Sequence, residues 1–450
     1  MSVELNVIVL AAGKGRRMAS GLPKVLHPIA GKPMLARVLE ALKDTYSKEI
    51  RVVVGEDSHL TTPIAGKFKA LCFKQKKETW GTAQAVLTAC PQELKGDVLI
   101  LNGDHPLITG KDITNFVRLF YEQTADCAVS SFKNPHPSEF GRMVLQGNDL
   151  VEIVEACDLE KRKIKSDYVN AGMYLIKGEL LKKYLPQIQK NDKGEYNLTD
   201  LISFLHKDKH KVRAIDVPWY MAFGINNQQE LSIASSIVFE NKCYELMSQG
   251  VIIVDFKKTY IESDVTVGNG SMIYPGVYLK GHTQIGSFCA IESNAFIFDS
   301  AIGNYVNIKA GSYIESSTIQ ERSVIGPYAH LRPNTVIGKQ CRIGNFVETK
   351  NIKMGDQSKA SHLTYLGDAE IGKEVNIGCG TVTCNYGIDK KKRQTKIGDQ
   401  AFIGSGSQLV APVHIKDQAI VGAGSVITKD VPEGFLAIER SEQKNIKKEK

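Results

Sequence analysis

From Ile397 to Ile427 an apolar residue returns at every sixth position, through Ile403, Leu409, Ile415 and Val421, and three of these are followed directly by Gly398, Gly404 and Gly422. A period of six belongs neither to a helix nor to an alternating strand. It marks the stacked coils of a parallel β-helix. The same beat runs through Ile319, Ile325, Leu331, Ile337 and Ile343, through Ile302, Ile308 and Ile314, and through Ile285, Ile291 and Ile297. Each step sets one inward aliphatic side chain on one face of a triangular coil, so three steps, about 18 residues, complete a turn and some 180 residues make about ten coils. Glycine after the apolar residue suits the corners, where a side chain would crowd the bend. One or two such steps occur in any β-rich chain; five in succession do not.

The first half reads differently. Val7 to Leu10 form a short buried strand, followed by Ala11-Ala12-Gly13-Lys14-Gly15-Arg16-Arg17-Met18 and a helical pattern from Pro33 to Leu42. Arg51 to Val54 and Val98 to Ile100 read as further parallel strands, giving an open α/β sheet whose ligands bind beyond the strand ends. The expected boundaries are 1–228 for this α/β domain, 229–249 for a linker helix, 250–440 for the solenoid and 441–450 for a basic tail. At 450 residues the chain exceeds what one hydrophobic core serves, in keeping with two folded parts.

Composition narrows the function classes. Lys plus Arg number 57 against 49 Asp plus Glu, a formal +8 that suits phosphorylated substrates and equally an ordinary solubility surplus. The basic residues are dispersed apart from Lys390 to Arg393 and the tail, so no nucleic-acid partner is expected. Nine cysteines without framework spacing point to a reducing, cytoplasmic setting, and no stretch reaches membrane-spanning length.

Two segments of the first half carry chemistry. Small residues in the loop Gly13-Lys14-Gly15 let backbone amides approach a phosphate or base, while Lys14, Arg17 and Lys24 supply positive charge. The loop is neither a Walker sequence nor a three-glycine dinucleotide fingerprint, and a structural turn would look similar. At the end of a second strand, Leu101-Asn102-Gly103-Asp104-His105-Pro106 puts a carboxylate where Mg²⁺ bridging phosphates would lie. An isolated Asp there would serve as a turn former; paired with the basic loop it points to nucleotidyl transfer.

Leu10 to Gly15, Arg17-Met18, Pro23-Lys24, Gly81-Thr82-Ala83, Gly103-Asp104, Gly194-Glu195-Tyr196 and Gly224-Ile225-Asn226-Asn227 together resemble the sugar-1-phosphate nucleotidyltransferases. Arg332-Pro333, Asn345-Phe346-Val347-Glu348, Lys359 to Asp368 and Cys384-Asn385-Tyr386 resemble the hexapeptide-repeat acyltransferases. Joined in one chain, they resemble the bifunctional uridylyltransferase and acetyltransferase family that makes UDP-N-acetylglucosamine. The fold implied is an α/β nucleotidyltransferase (Rossmann-like) domain followed by a left-handed parallel β-helix. The implied reactions are acetyl transfer from acetyl-CoA to glucosamine 1-phosphate, then uridylyl transfer from UTP to N-acetylglucosamine 1-phosphate with release of pyrophosphate.

The resemblance also implies roles. Leu10, Ala11, Ala12, Gly13, Gln75, Gly81 and Thr82 would hold uracil and ribose, Arg17 and Lys24 phosphates, Asp104 and Asn226 the Mg²⁺, and Gly141, Glu155 and Asn170 the amino sugar. In the solenoid, His362 would be the general base with Glu348 and Asn385 as orienting partners. Arg332, Lys350, Tyr365, Asn376 and Lys392 would bind glucosamine 1-phosphate, and acetyl-CoA would lie near Cys379, Asn385, Tyr386, Ser405, Ala423 and Arg440. Cys379 and Cys384 are expected to be packing residues, since direct acyl transfer needs no nucleophilic thiol. A homotrimer is implied as well. The same reaction classes on another sugar or nucleotide, or a non-catalytic sugar-nucleotide sensor, stay open at this point.

Overall fold

The computed structural model describes every residue except 1–4, 44, 46, 77–80, 91–95, 135–139, 163, 193 and 449–450. Trp80, in the segment between Gln75 and Gly81, therefore lies outside the described residues. The chain divides into two compact units, Met1–Ser235 and Ser236–Lys450.

The first unit is built on one nine-stranded sheet. Its strands are β1 (Leu5–Ala11), β2 (Ser47–Val54), β3 (Leu71–Lys74), β4 (Asp97–Asn102), β5 (Cys127–Lys133), β6 (Arg142–Gln146), β7 (Asp149–Val154), β8 (Tyr168–Ile176) and β9 (Val212–Asp216). They lie in the order β3-β2-β1-β4-β8-β5-β9-β7-β6. The β1, β2, β3 and β4 group pairs in parallel, as the apolar runs imply, whereas β8 runs antiparallel between β4 and β5. Val7, Val9, Leu99 and Leu101 bury against one layer of helices, and Ile8, Val98 and Ile100 against the other. The helix expected from Pro33 to Leu42 spans Met34–Ala41 and buries Met34, Leu35, Val38 and Leu39, the spacing of one helix face.

The second unit is a parallel β-helix. Ile285 pairs with Ile302 and Thr266 with Gln284, so coils take 17 or 18 residues. The ladder aliphatics Ile285, Ile291, Ile297, Ile302, Ile308 and Ile314 point inward into one continuous core. The end coils differ slightly, with Ile252 pairing to Met272, 20 positions on, and Ile420 to Leu436, 16 on, and the longest coil lies between them: Ile371 pairs with Ile397, 26 positions on, and the surplus forms an excursion between Cys384 and Thr395.

Glycines after the ladder residues answer to stacking rather than to backbone conformation. A Cβ on Gly404 would lie 2.5 Å from the Ala423 amide nitrogen on the next coil, and one on Gly378 2.5 Å from that of Ser405. The left-handed conformation belongs instead to the corners, where it recurs whatever the residue: Phe288, Tyr305, Arg322, Gln340 and Gln357 at one, Tyr328, Phe346 and Leu363 at another. Buried hydroxyls tie the turns together. Ser323 donates to the Gly338 carbonyl and accepts from the Cys341 amide, and Ser358 does the same with Gly372 and Val375.

Candidate functional sites

In the first unit, β1 and β4 are parallel neighbours with Leu10 opposite Asn102, so the glycine loop and Asp104 leave the sheet at the same edge. The Gly103 amide donates to the Leu10 carbonyl (2.8 Å), fastening the two turns to each other. Gly15 adopts φ 57°, and a Cβ there would sit 2.6 Å from Cβ of Lys24, so the bare backbone lets Lys24 pack against the loop. A cavity of about 250 Å³ opens beside Ala11, Ala12 and Gly13 and is walled on its other side by Gly55, Glu56 and Thr61. No sequence pattern singled out those last three.

The Lys24 ammonium binds the Asp104 carboxylate and lies 3.0 Å from Oδ1 of Asn226. Asn226 comes from more than a hundred residues away, and its position has a traceable cause. The Ile225 amide donates to the Asp104 carbonyl (3.0 Å), while His105 Nδ1 lies 2.9 Å from the Met221 carbonyl oxygen. A Cβ on Gly224 would meet His105 Nε2 at 2.9 Å, so glycine is what admits the imidazole. Asn227 then caps the helix Gln228–Ser248, its Oδ1 accepting from the Glu230 amide while Glu230 accepts from the Asn226 amide.

Two more groups surround this edge. Gln75 Nε2 donates to the Gly81 carbonyl (3.3 Å), and Thr82 Oγ1 accepts from the Leu198 amide (2.9 Å). Gly81, at φ 119°, lies so close to Tyr196 that a Cβ would come within 2.2 Å of its carbonyl oxygen. The Asn170 amide donates to the Gly141 carbonyl (3.0 Å), and a Cβ on Gly141 would lie 3.7 Å from Glu155 Oε2, so these three amino-sugar candidates form one cluster. Thr199 donates to Glu155 (2.7 Å), and Asn170 to the Tyr174 hydroxyl (2.7 Å). Arg17 is exposed on the short turn Arg16–Met18.

Asp104 is largely shielded, and burial pushes its carboxyl up. The charges of His105 and Lys24 and the Lys24 hydrogen bond outweigh that and hold it below the usual carboxylate range. Two oxygens thus converge on one cation. A carboxylate and an amide carbonyl are oxygen donors of the kind a hard divalent ion takes, although among the described residues no cluster of three or more His, Cys, Asp or Glu accompanies them.

In the second unit the candidate residues fall along one corner of the β-helix and the face beyond it. Asn345 and His362 end neighbouring strands in register, with Oδ1 2.8 Å from Nδ1. Down the same corner the Leu363 carbonyl accepts from the Gly380 amide, Cys379 from Gly406, and Ser405 from Gly424; Arg440 donates to the Ala423 carbonyl (3.0 Å). His362, Cys379, Ser405, Ala423 and Arg440 are thereby brought into one line. At their corner positions the left-handed residue changes from Tyr328, Phe346 and Leu363 to Gly380, Gly406 and Gly424. A Cβ on Gly424 would touch nothing, and on Gly406 nothing nearer than 3.8 Å. Below His362 the left-handed positions of the corner therefore form a track of bare backbone, flanked by the small exposed side chains of Cys379, Ser405 and Ala423.

Across the corner, Arg332 donates to Glu348 (2.7 Å), Glu348 pairs in register with Tyr365, and Lys350 with Gly367. Asn385 donates through Nδ2 to Asp368, whose other oxygen accepts from Asn351 (2.6 Å). Glu348 and Asn385, expected beside His362, thus engage Arg332 and Asp368. Tyr386 pairs with Lys392 across the excursion, and Ile388 at its tip is fully exposed. Asn376 lies on a different face, in the eleven-stranded sheet beside Lys359, so one chain does not gather it with Arg332, Lys350 and Tyr365. The expectation that Cys379 packs is corrected: it is exposed, because the corner beside it carries glycine and no neighbouring side chain covers it. Cys384 is partly buried, and burial raises its thiol.

Residues 7–171 match the MobA-like NTP transferase domain, residues 256–343 the GMPPB C-terminal domain, and residues 394–429 the bacterial transferase hexapeptide (six repeats). The chain is 49% identical over 440 residues to bifunctional protein GlmU of Bdellovibrio bacteriovorus, covering 98% of this chain and 96% of that one. Its identity to the GlmU proteins of Clostridium botulinum (strain 657 / Type Ba4) and Thermodesulfovibrio yellowstonii is 40% over 444 residues in each case, with coverage of 97% and 98% of this chain and 96% and 98% of theirs.

Proposed function

This chain belongs to the bifunctional GlmU proteins, which unite UDP-N-acetylglucosamine pyrophosphorylase and acetyltransferase activities, and from that premise we propose how its residues divide the work. In the first unit, Ala11 to Gly13, Gln75 and Thr82 hold the nucleoside, Arg17 and Lys24 the phosphates, and Gly141, Glu155 and Asn170 the N-acetylamino sugar. Asp104 and Asn226 would hold Mg²⁺, which would supply charge neutralisation for the departing pyrophosphate. The sugar phosphate's oxygen is already anionic and attacks the α-phosphorus without a protein base. The protein's share is alignment and cationic stabilisation, and Lys24, packed against Gly15, is held for it.

In the second unit His362 acts as general base. The amine nitrogen bonds to the acetyl carbonyl carbon, its proton passes to the imidazole, and the carbon–sulfur bond breaks with CoA leaving as the thiol or thiolate. Arg332, Lys350, Tyr365 and Lys392 bind glucosamine 1-phosphate. The observation that carries this reading is the glycine track of Gly380, Gly406 and Gly424, which leads away from His362 and leaves room for an extended pantetheine arm ending near Arg440. Asn376, on its separate face, and the exposed Tyr328, Phe346 and Leu363 support a homotrimer in which a second chain completes the site. With the described cysteines free and acetyl-CoA and UTP as co-substrates, the proposed compartment is the cytoplasm.

The test is a paired assay. Purified protein with Mg²⁺, UTP, acetyl-CoA and glucosamine 1-phosphate should yield UDP-N-acetylglucosamine, CoA and pyrophosphate by mass analysis. Neither product would favour the sensor reading. Light scattering should give three times the chain mass of 49.6 kDa, and a fully acetyltransferase-active monomer would rule the trimer out.

A further inference from the structure

We infer that Asn345 is the positioning residue of acetyl transfer, an assignment resting on the reading of His362 as the base: its side-chain carbonyl holds the neutral imidazole in the Nδ1–H tautomer and leaves the lone pair on Nε2. Three features of the coil converge on this pair. Strands of the eleven-stranded sheet are two residues long along most of its length, as in Asn307–Ile308 and Val324–Ile325, yet Arg342–Asn345 and Lys359–His362 run to four and pair through to their last residues. The residues at the equivalent corner step of other coils are small or apolar: Ala310 and Pro327 before the pair, Cys379 and Ser405 after it. An amide stacked on an imidazole serves no purpose that the ladder requires.

The close approach has its own cause. A Cβ on Gly344 would lie 1.8 Å from the Ser361 carbonyl oxygen, so only glycine lets these two coils draw together there. That approach puts Oδ1 of Asn345 2.8 Å from Nδ1 of His362. A carbonyl oxygen only accepts, so Nδ1 donates, and a neutral imidazole has a single N–H, so Nε2 is bare. Glu348 is taken by Arg332 and Asn385 by Asp368, so neither sets the ring. The choice of amide over carboxylate has a chemical consequence. A carboxylate would orient the ring equally well but would favour the imidazolium, which cannot accept a proton. The amide orients the ring without charging it.

The test reads the tautomer directly. The protein labelled with ¹⁵N-histidine is observed above the imidazole titration, with the His362 resonances identified among the ten histidines by their loss in His362→Gln. The expected spectrum has a protonated Nδ1 and a bare Nε2; the opposite tautomer in the unmutated protein overturns the assignment without recourse to any variant's folding. Asn345→Ala should release the ring to a mixture of tautomers and lower the acetylation kcat about tenfold or more, with KM for acetyl-CoA unchanged. Asn345→Asp should restore the Nδ1–H form. An alanine variant with the parental tautomer and kcat would overturn the proposal, as would a His362→Gln protein that acetylates at the parental rate, which removes the base reading whatever the ring's tautomer.

Discussion

Asp104 shows how one carboxylate is kept charged while shielded from water. Its pKa is lower in the fold than in the unfolded chain, because burial, which raises it, is overcome by His105 and Lys24. A depressed folded value means that the ion pair adds stability at every pH above the ordinary carboxylate pKa of about 3.9 and loses it as pH falls through the lower folded value. Both tryptophans, Trp80 and Trp219, precede residue 236, so their emission reports the first unit alone. Urea unfolding followed at this emission should find Asp104→Asn less stable by a margin constant from about pH 8 to 5 and shrinking below about pH 4. Asp104 was legible in the sequence because a Gly-Asp turn after an apolar strand has few other uses beside a basic glycine loop. The contact between His105 and Gly224 was not legible. Each is ordinary alone, and they fit each other only once the chain returns Gly224 to the sheet edge. The bond from Arg332 to Glu348 was not legible either, since it joins two coils across 16 residues.

At the scale of the coil, glycines divide into two kinds that the hexapeptide rhythm does not distinguish. Gly404 lies against the next coil, with 2.5 Å to the Ala423 nitrogen for any added Cβ, whereas Gly424 sits at φ 73° with open space around it. Gly404→Ala must push coils apart and should destabilise the second unit by about 1–3 kcal/mol, the usual cost of overpacking. Gly424→Ala carries only the left-handed backbone penalty of about 1–2 kcal/mol, and substitution to Leu should add little further instability while raising KM for acetyl-CoA by filling the track. Calorimetry and acetyl-CoA saturation curves on the three variants separate the two kinds; equal KM values for Gly424→Leu and the parent would refute the track. The ladder aliphatics and the coil count followed from the six-residue beat. The 26-residue coil did not, because the excursion between Cys384 and Thr395 interrupts the rhythm without carrying one of its own.

Across the whole molecule the NTP transferase match and the hexapeptide match fall in separately packed units, which predicts separable activities. Asp104→Ala should abolish uridylyl transfer and leave acetylation near the parental rate, while His362→Ala should lower acetylation by about 10² to 10⁴ and spare uridylyl transfer. Loss of both activities in a folded Asp104→Ala protein would contradict that division. The constant register of the second unit also bears on how it comes apart. Most ladder bonds join residues 17 or 18 positions apart, with steps of 20 and 16 at the two ends and one of 26, and loop entropy grows only slowly with length, so every coil closes a loop of nearly the same entropy and leans only on its two neighbours. Such a stack melts like a zipper rather than collapsing at once. Amide exchange followed by mass spectrometry should show protection rising from the terminal coils toward the centre. In Gly404→Ala, the segments after residue 404 should exchange early while those of the Ile297 to Ile325 coils keep their protection; uniform loss throughout would mean that the coils unfold as a single cooperative body.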